Sequence, residues 1–298
     1  MASAPTRRGD PRLEGELAAV DRLDTRQFLI AIKRLADSLS YGTDRSRFLG
    51  SGIEYVQSRP YQYGDPVRAI DWRVTARTGR VHVKDFESPK RIPVWLLVDS
   101  SASMTISSTE RSKYALALQL AGGIALACLD RVSPVGVLTV GETAFRIEPS
   151  LGKDTILQWL LHMRRFRYDE ATELGRRVSE LTPRLGARSL VIALSDLHEP
   201  HGVQALKLLA QQHDCAALVL QDPAEISIRG AGILRAREAE SGAGFVTTGR
   251  RQRVDHEAIL AELRRGGVDH MTIRTDQPFL HRLRQFFQSR DVLGRAAR

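Results

Sequence analysis

Hydrophobic and polar positions change their spacing along the chain, and these changes divide it into segments. Residues 13–40 carry apolar side chains at helical spacing, Leu17 and Ile32 among them, which predicts a helix. From about 45 to 92 the chain has tyrosines, Gly and Pro turns and short alternating stretches, which are typical of strands and turns. We therefore expect 13–92 to form an N-terminal helix and a small β-rich extension.

From residue 93 onward, continuous apolar stretches alternate with stretches of helical periodicity. The predicted strands are 92–99, 135–140, 144–150, 189–196, 215–221 and 270–275, with a further hairpin within 232–250. The predicted helices are 113–130, 153–166, 172–185, 200–213, 255–265 and 278–288. Apolar strands separated by helices indicate a mostly parallel central sheet flanked by helices. The predicted fold class is α/β, with a Rossmann-like domain over 93–290.

Composition places the chain among ordinary soluble globular proteins, with 298 residues, 42% hydrophobic and 27% charged. Residues 1–12 contain no apolar stretch, so we expect a disordered N-terminus without a secretory signal, and 291–298 form a basic tail. Cys128 and Cys215 lie in apolar stretches, which is typical of reduced core cysteines in a cytoplasmic protein.

The longest apolar stretch, residues 114–129, raises the question of a membrane span. It includes Gln119 and is shorter than the ~20 residues that a bilayer requires, so we expect a buried helix and no membrane span. Gly122 and Gly123 each cost a helix about 1 kcal/mol relative to alanine, and close approach of this helix to the sheet would explain them.

The formal charge of +9 favours acidic partners, such as nucleic acid or an acidic protein surface. The lysines and arginines are, however, spread along the chain rather than grouped in blocks. A solvated basic surface explains this distribution more simply, and nucleic-acid binding is not favoured.

Oxygen-bearing side chains follow the ends of two predicted strands. In "VWLLVDSSASM" the strand ends at Asp99 and is followed by Ser101 and Ser103; a second strand ends at Asp196, and a helix begins at Thr172. These positions lie at one edge of a parallel sheet, where ligands bind, and hard ions such as Mg²⁺ prefer oxygen ligands. We predict a Mg²⁺ or Mn²⁺ site with one open position. The alternative is a turn held by local hydrogen bonds.

The segments "LLVDSSASM", "EATEL" and "LVIALSDL" resemble the metal-ion-dependent adhesion site of von Willebrand factor A domains. The resemblance implies that Ser101, Ser103 and Thr172 bind Mg²⁺ directly, while Asp99 and Asp196 bind it largely through water. It also implies that the ion binds an acidic residue of a partner protein.

Residues 50–87, "GSGIEYVQSRPYQYGDPVRAIDWRVTARTGRVHVKDFE", resemble the signature of the bacterial family called domain of unknown function 58. That family joins this segment to a von Willebrand A-like half, so the resemblance covers about 45–290. Its members accompany MoxR-type AAA+ ATPases, which implies a protein partner in metal-centre assembly or protein remodelling. This chain has Glu170 and Ala171 where many relatives carry glycines.

The signature segment has two possible roles. Within it, Ile70 and Trp72 are expected in a core, and charged residues are expected to form an ion-pair network: Arg68, Asp71, Arg73 and Arg77. We favour this structural role. The alternative is a recognition surface for an acidic partner or nucleic acid, in which tyrosines interleave with arginines: Tyr55, Tyr61, Tyr63, Arg59 and Arg68.

Motifs for catalysis are scarce. The sequence has no phosphate-binding G-x-x-x-x-G-K-[ST] loop and no G-x-S-x-G elbow. His198 and His201 are expected to be exposed loop histidines, because a zinc site would require a third ligand. We predict a non-enzymatic, metal-dependent protein-interaction module. The alternatives are a metal-dependent phosphohydrolase with Asp99 as nucleophile, or a nucleic-acid-binding protein.

Overall fold

The computed structural model describes residues 14–16, 30, 32–37, 54–87, 92–186, 188–226, 234–237, 244–247 and 255–290. The chain divides into two compact units. The smaller unit comprises residues 43–91, and the larger comprises 1–42 together with 92–298. The disordered N-terminus predicted at 1–12 and the basic tail at 291–298 lie outside the described residues.

Strands and helices are numbered here in chain order. The strands are β1 (Glu14–Glu16), β2 (Glu54–Pro60), β3 (His82–Glu87), β4 (Val94–Val98), β5 (Val135–Thr139), β6 (Arg146–Ser150), β7 (Arg165–Arg167), β8 (Leu190–Ser195), β9 (Asp214–Gln221), β10 (Leu234–Arg237), β11 (Gly244–Thr247) and β12 (Asp269–Arg274). The helices are α1 (Trp72–Thr78), α2 (Ala102–Thr105), α3 (Lys113–Asp130), α4 (Lys153–Met163), α5 (Leu174–Leu181), α6 (Pro200–Leu209), α7 (Pro223–Ile226), α8 (His256–Arg265) and α9 (Leu280–Ser289). Residues 32–37 are also helical.

A six-stranded sheet forms the centre of the larger unit, in the order β12-β9-β8-β4-β5-β6. All neighbouring strands in it are parallel except β5 and β6, which form an antiparallel hairpin. The predicted α/β class with a mostly parallel, helix-flanked sheet is therefore confirmed. The hairpin predicted within 232–250 is also present, as β10 paired with β11.

The two faces of the sheet bury two separate hydrophobic clusters, because successive side chains of a strand point to opposite faces. Leu96 of β4 packs into a cluster with α3, α4, α9 and the helical residues 32–37, whereas Leu97 packs with α5, α6 and α8. Every residue of β4 and β8 is buried, which explains why these strands are continuous apolar runs in the sequence.

Helix α3 is the central helix of the first cluster. It has the length and apolar composition of a membrane span, with 18 residues and a mean hydropathy of 1.2, but 72% of it is buried within the protein. A Cβ atom on Gly123 would lie 2.5 Å from the Leu35 side chain, and one on Gly122 would lie 2.8 Å from Ile32. The lack of side chains at Gly122 and Gly123 thus allows α3 to pack closely against the helical residues 32–37. The nearest atoms do not belong to the sheet, so that part of our expectation was wrong.

Strand pairing overrides helical periodicity in two of the predicted helices, and the helix predicted at 172–185 is shorter, Leu174–Leu181. Residues 14–16, predicted as the start of a helix, form β1 and pair antiparallel with β7. The helix predicted at 153–166 ends at Met163, since residues 165–167 form that partner strand. Ile32, Leu35 and Ala36, which we grouped with the β-rich extension, are buried in the core of the larger unit.

The smaller unit contains the β2–β3 hairpin and helix α1. A helix here was not expected. Asp71 caps it by accepting hydrogen bonds from the backbone N–H groups of Arg73 and Val74, at 3.1 and 3.2 Å, and from the Ser58 hydroxyl at 2.7 Å. Trp72 is 67% exposed, so its predicted core position was wrong. Among the described residues of this unit, an ion pair joins Arg59 to Asp65 at 2.8 Å, and the residues proposed from the sequence do not form it.

Strand order creates a crevice at one edge of the larger sheet. Helix α3, which follows β4, packs on one face, and α6, which follows β8, packs on the other. The chain therefore leaves the adjacent strands β4 and β8 in opposite directions, which defines a topological switch point at their carboxyl ends. Ligands of open α/β sheets bind at such points.

Candidate functional site

The carboxyl ends of β4 and β8 bring four of the five predicted ligands together. Asp99 continues the β4–β8 ladder, with its N–H donating to the Leu194 carbonyl at 3.0 Å. Ser101 and Ser103 follow at the start of α2, and their hydroxyl oxygens lie 3.1 Å apart. The Ser103 hydroxyl donates to Oδ2 of Asp196 at 2.7 Å. A stretch of 93 residues separates these two positions in sequence, so only the sheet places them in contact.

Asp99 lies beneath this group and is fully buried. Its Oδ1 accepts the Ser101 N–H at 3.0 Å, and its Oδ2 accepts the Ser195 hydroxyl at 2.5 Å. Burial, followed by the negative charge of Asp196, raises the pKa of Asp99 to about 7. No ion-pair partner of Asp99 is found among the described residues. Asp99 therefore lies in a site where its ionised form is disfavoured, and a pKa near 7 leaves it partly protonated at neutral pH.

Thr172 reaches the same edge through backbone contacts. Gly141, just beyond β5, forms an antiparallel bridge with Thr172, and the Glu173 N–H donates to the Val140 carbonyl at 2.7 Å. The Ala102 N–H donates to the Glu170 carbonyl at 2.7 Å, which joins this segment to the serine loop. These backbone hydrogen bonds hold the segment that contains Thr172 at the edge of the sheet where the other four residues lie.

Glu170, noted in the sequence only as a departure from relatives, is buried at this edge. Its carboxylate accepts the Thr143 N–H at 2.5 Å, and burial raises its pKa. A Cβ atom on Gly141 would lie 2.6 Å from this carboxyl group. Glu170 therefore adds a third buried carboxyl group, and Gly141 makes the space for it.

The sequence reasoning missed Lys113, whose side chain is 1% exposed. Its ammonium group donates to Oδ2 of Asp196 at 2.7 Å and also pairs with Glu225 of α7. Burial acts to raise the pKa of Asp196, but the charges of Lys113 and His198, together with the hydrogen bonds from Lys113 and Ser103, outweigh it and lower that pKa to about 2. Asp196 is thus ionised and partly neutralised by a cation of the chain itself. In the sequence, the available sign of this contact was a lysine at the start of an apolar helix.

His198 also lies beside Asp196, with Nδ1 3.4 Å from Oδ2. Its side chain is 23% exposed, so the expectation of an exposed loop histidine was wrong for His198. His201, at the start of α6, is exposed as expected. The difference arises because the chain turns at Leu197, whose φ of 56° directs His198 back toward the sheet edge.

Comparison with known proteins places the chain among proteins without an assigned activity. A family model described as "Protein of unknown function DUF58" matches residues 57–265. The uncharacterized proteins Rv1480 and MT1527 of Mycobacterium tuberculosis and Mb1516 of Mycobacterium bovis are each 26% identical over 295 residues, covering 94% of this chain and 90% of theirs.

A solved structure, described as an uncharacterized membrane spanning protein from Vibrio fischeri, covers 67% of this chain and 98% of its own at 15% identity. Its TM-score of 0.19 supports no structural inference.

Proposed function

The chain belongs to the family described as protein of unknown function DUF58, and we propose that it is a non-enzymatic, metal-dependent protein-interaction module of the cytoplasm. Mg²⁺, or Mn²⁺, held at the carboxyl ends of β4 and β8 binds a carboxylate offered by a partner protein. A MoxR-type AAA+ ATPase, or a client of that ATPase, is the first candidate partner, since the sequence resembles a family that accompanies such ATPases.

One observation carries the proposal: Ser101, Ser103 and Asp196 form a continuous chain of side-chain oxygens above the buried carboxyl of Asp99. Hydroxyl and carboxylate oxygens are the donors that Mg²⁺ prefers. Burial and then the negative charge of Asp196 raise the pKa of Asp99, and a divalent cation placed between the two carboxylates would offset that charge.

Contacts within the chain decide which of these atoms are available to an ion. Both carboxylate oxygens of Asp99 accept hydrogen bonds, and Oδ2 of Asp196 is shared by Ser103 and Lys113. The hydroxyls of Ser101 and Ser103 would therefore be direct ligands, with the aspartates contributing charge and water-mediated contacts. Thr172 is a further ligand by resemblance. A bound ion with an incomplete coordination shell supplies an electrophilic position for an external carboxylate.

The same contacts argue against the phosphohydrolase alternative. An aspartyl nucleophile requires a carboxylate oxygen that is accessible to substrate. Asp99 is 0% exposed, and both of its oxygens are engaged by the Ser101 N–H and the Ser195 hydroxyl. Asp99 therefore supports binding rather than nucleophilic attack.

Metal-dependent stabilisation provides the first test. At 100 times its dissociation constant, a ligand stabilises the folded state by about 2.7 kcal/mol, which raises the melting temperature of a chain this size by roughly 2–4 °C per kcal/mol. We expect Mg²⁺ or Mn²⁺ to produce this shift in the wild type, and Ser101→Ala or Ser103→Ala to reduce it. Ser179→Ala, which removes an exposed hydroxyl from α5, is the matched control.

Partner capture provides the second test. The wild type should retain a purified MoxR-type ATPase in the presence of Mg²⁺ and release it in EDTA, whereas Ser101→Ala should not retain it with Mg²⁺. Retention that is insensitive to both EDTA and the substitution would contradict metal-mediated docking. Phosphoester turnover that is lost in Ser101→Ala would instead favour an enzyme.

A second candidate function, binding of single-stranded nucleic acid, is favoured by one observation in the smaller unit. Tyr63 is fully exposed and Trp72 is 67% exposed, close in sequence to the exposed Arg68, Arg73 and Arg77. Exposed aromatic rings stack on bases, and arginines contact the phosphates. Single-strand affinity that falls steeply with salt and is reduced by Trp72→Ala would support this function; absence of binding at low salt would exclude it.

A further inference from the structure

A second cluster of metal-ligand types lies next to the site described above. His198 follows β8, Glu225 lies in α7 after β9, and His256 is the first residue of α8. One ligand atom from each of the three side chains lies within 4.8 Å of the others. These residues come from three separate parts of the chain, so no local motif predicts their meeting.

The strongest indication of a ligand is a nitrogen atom without a partner. Nε2 of His198 is buried, and no hydrogen-bond partner for it is found in the described part of the chain. Leaving a buried polar atom unsatisfied costs about 1–3 kcal/mol, and such atoms in native structures call for an explanation. A metal ion bound to the nitrogen lone pair would supply one.

The other nitrogen of the same ring is already oriented. Nδ1 of His198 lies 3.4 Å from the Asp196 carboxylate, which also pairs with Lys113 at 2.7 Å. Metal-bound histidines typically direct their second nitrogen to a carboxylate, which fixes the tautomer with the proton on that side. In this arrangement the lone pair of Nε2 is free to bind a metal.

His256 supplies a second imidazole with its centroid 5.8 Å from that of His198. Its side chain is buried, and burial, followed by the nearby His198, lowers its pKa. Neutral imidazole is the form that binds metals. An ion between the two rings would use a nitrogen atom of each.

Glu225 completes the set with a carboxylate that is only partly engaged. Its Oε1 pairs with Lys113, and its Oε2 accepts the Asp222 N–H at a long 3.2 Å. Each carboxylate oxygen has two lone pairs, so these contacts leave acceptor capacity for an ion. The side chain is 22% exposed, which gives a route from solvent.

We propose that His198, Glu225 and His256 bind a divalent transition-metal ion, of which Zn²⁺ is the best match. Two histidines and a glutamate are a zinc ligand set that leaves a fourth position open to water or another group. Ligand atoms of a tetrahedral zinc ion lie roughly 3.3 Å apart, so small side-chain rotations bring the observed separations of up to 4.8 Å into range. This site uses nitrogen donors and is distinct from the proposed Mg²⁺ site.

Titration of untagged, metal-free protein with Co²⁺ and then Zn²⁺ tests this site directly. We expect one Co²⁺ per chain with visible absorption bands, which Zn²⁺ then displaces, and an increase in melting temperature with Zn²⁺. His256→Gln should weaken Zn²⁺ affinity at least 100-fold. His201→Gln, which alters an exposed histidine three residues from His198, is the matched control and should bind as the wild type does.

Two further measurements separate loss of the metal site from loss of the fold and from failure of the Mg²⁺ site. Urea unfolding without metal checks that His256→Gln folds, and His198→Gln replaces it if it does not. Wild-type Zn²⁺ affinity in both variants, or no Co²⁺ binding by the wild type, would overturn the proposal. Ser101→Ala should leave Zn²⁺ binding unchanged and His256→Gln should leave Mg²⁺ stabilisation unchanged, so either site can fail without the other.

Discussion

Replacing Lys113 with methionine should destabilise the protein by about 3–5 kcal/mol, because it leaves the Asp196 carboxylate buried without its cation. The ammonium group and this carboxylate lie 2.7 Å apart, with side-chain exposures of 1% and 0%. Methionine retains most of the volume of the lysine stem, so the change removes the charge with little loss of packing. Most of the cost should therefore be electrostatic.

The assay is urea unfolding of the wild type, Lys113→Met, Asp196→Asn and the double variant. If the cost comes from an unpaired charge, adding Asp196→Asn to Lys113→Met should recover much of the stability that was lost. Lys207→Met is the matched control: its pair with Glu262, at 2.6 Å, is 24% and 42% exposed. Exposed pairs contribute about 0–1 kcal/mol, so this variant should stay near the wild type.

The result that would refute this reasoning is a Lys113→Met variant within about 1 kcal/mol of the wild type, or a double variant no more stable than the single one. The same variant tests the charge of the site. Without the lysine, the carboxylates have more uncompensated negative charge, so Mg²⁺ should stabilise Lys113→Met more than it stabilises the wild type. Equal stabilisation would indicate that the ion does not contact this edge.

Two other predictions concern Asp99 and Gly123. Burial, followed by the negative charge of Asp196, raises the pKa of Asp99 from its ordinary 3.8 to about 7, so without metal its contribution to stability is complete below about pH 4 and is lost as pH rises to 7. The part of that loss between pH 5 and pH 8, roughly 2–3 kcal/mol, should be absent in Asp99→Asn when urea midpoints at these two pH values are compared; an unchanged pH dependence would contradict the assignment. Gly123→Ala should destabilise by about 1–2 kcal/mol, because overpacking against Leu35 outweighs the gain in helix propensity, and a more stable variant would show that contact to be loose.

The periodicity of the larger unit predicted its strands well because those strands are buried on both faces. β4 is apolar at every position and β8 at every position except its last, Ser195, a pattern that polar surface segments do not imitate. The helical periodicity of 153–166 was less reliable at its end. There the pairing of β7 with β1, about 150 residues earlier in the chain, determines the conformation, and no local pattern reports such a pairing.

The smaller unit shows the opposite case. Trp72 was assigned to a core on its apolar character, yet it is the first residue of a two-turn helix and is largely exposed. A hairpin and a short helix bury few side chains, so apolar character alone is a weak guide to burial in such a unit.

The group of oxygen-bearing side chains was recognisable in the sequence because strand ends in a parallel sheet share an edge. Asp99, Ser101, Ser103 and Asp196 follow directly from this rule. The cation that contacts them left only a weak signal in the sequence. Lys113 opens an apolar helix, where a terminal lysine is normally solvent-exposed, and its contact with Asp196 spans 83 residues.

The sequence by itself determined the order of the elements, the class of the fold and the edge on which polar side chains collect, since these depend on local periodicity and strand ends. The tertiary structure alone decided which charges meet at that edge. Lys113 and Asp196 pair, and Asp99 is buried near Asp196, which raises its pKa. His198, Glu225 and His256 converge because β8 and β9 are neighbours and α8 begins beside them. Electrostatic interactions depend on distances of a few ångströms, and only packing sets those distances.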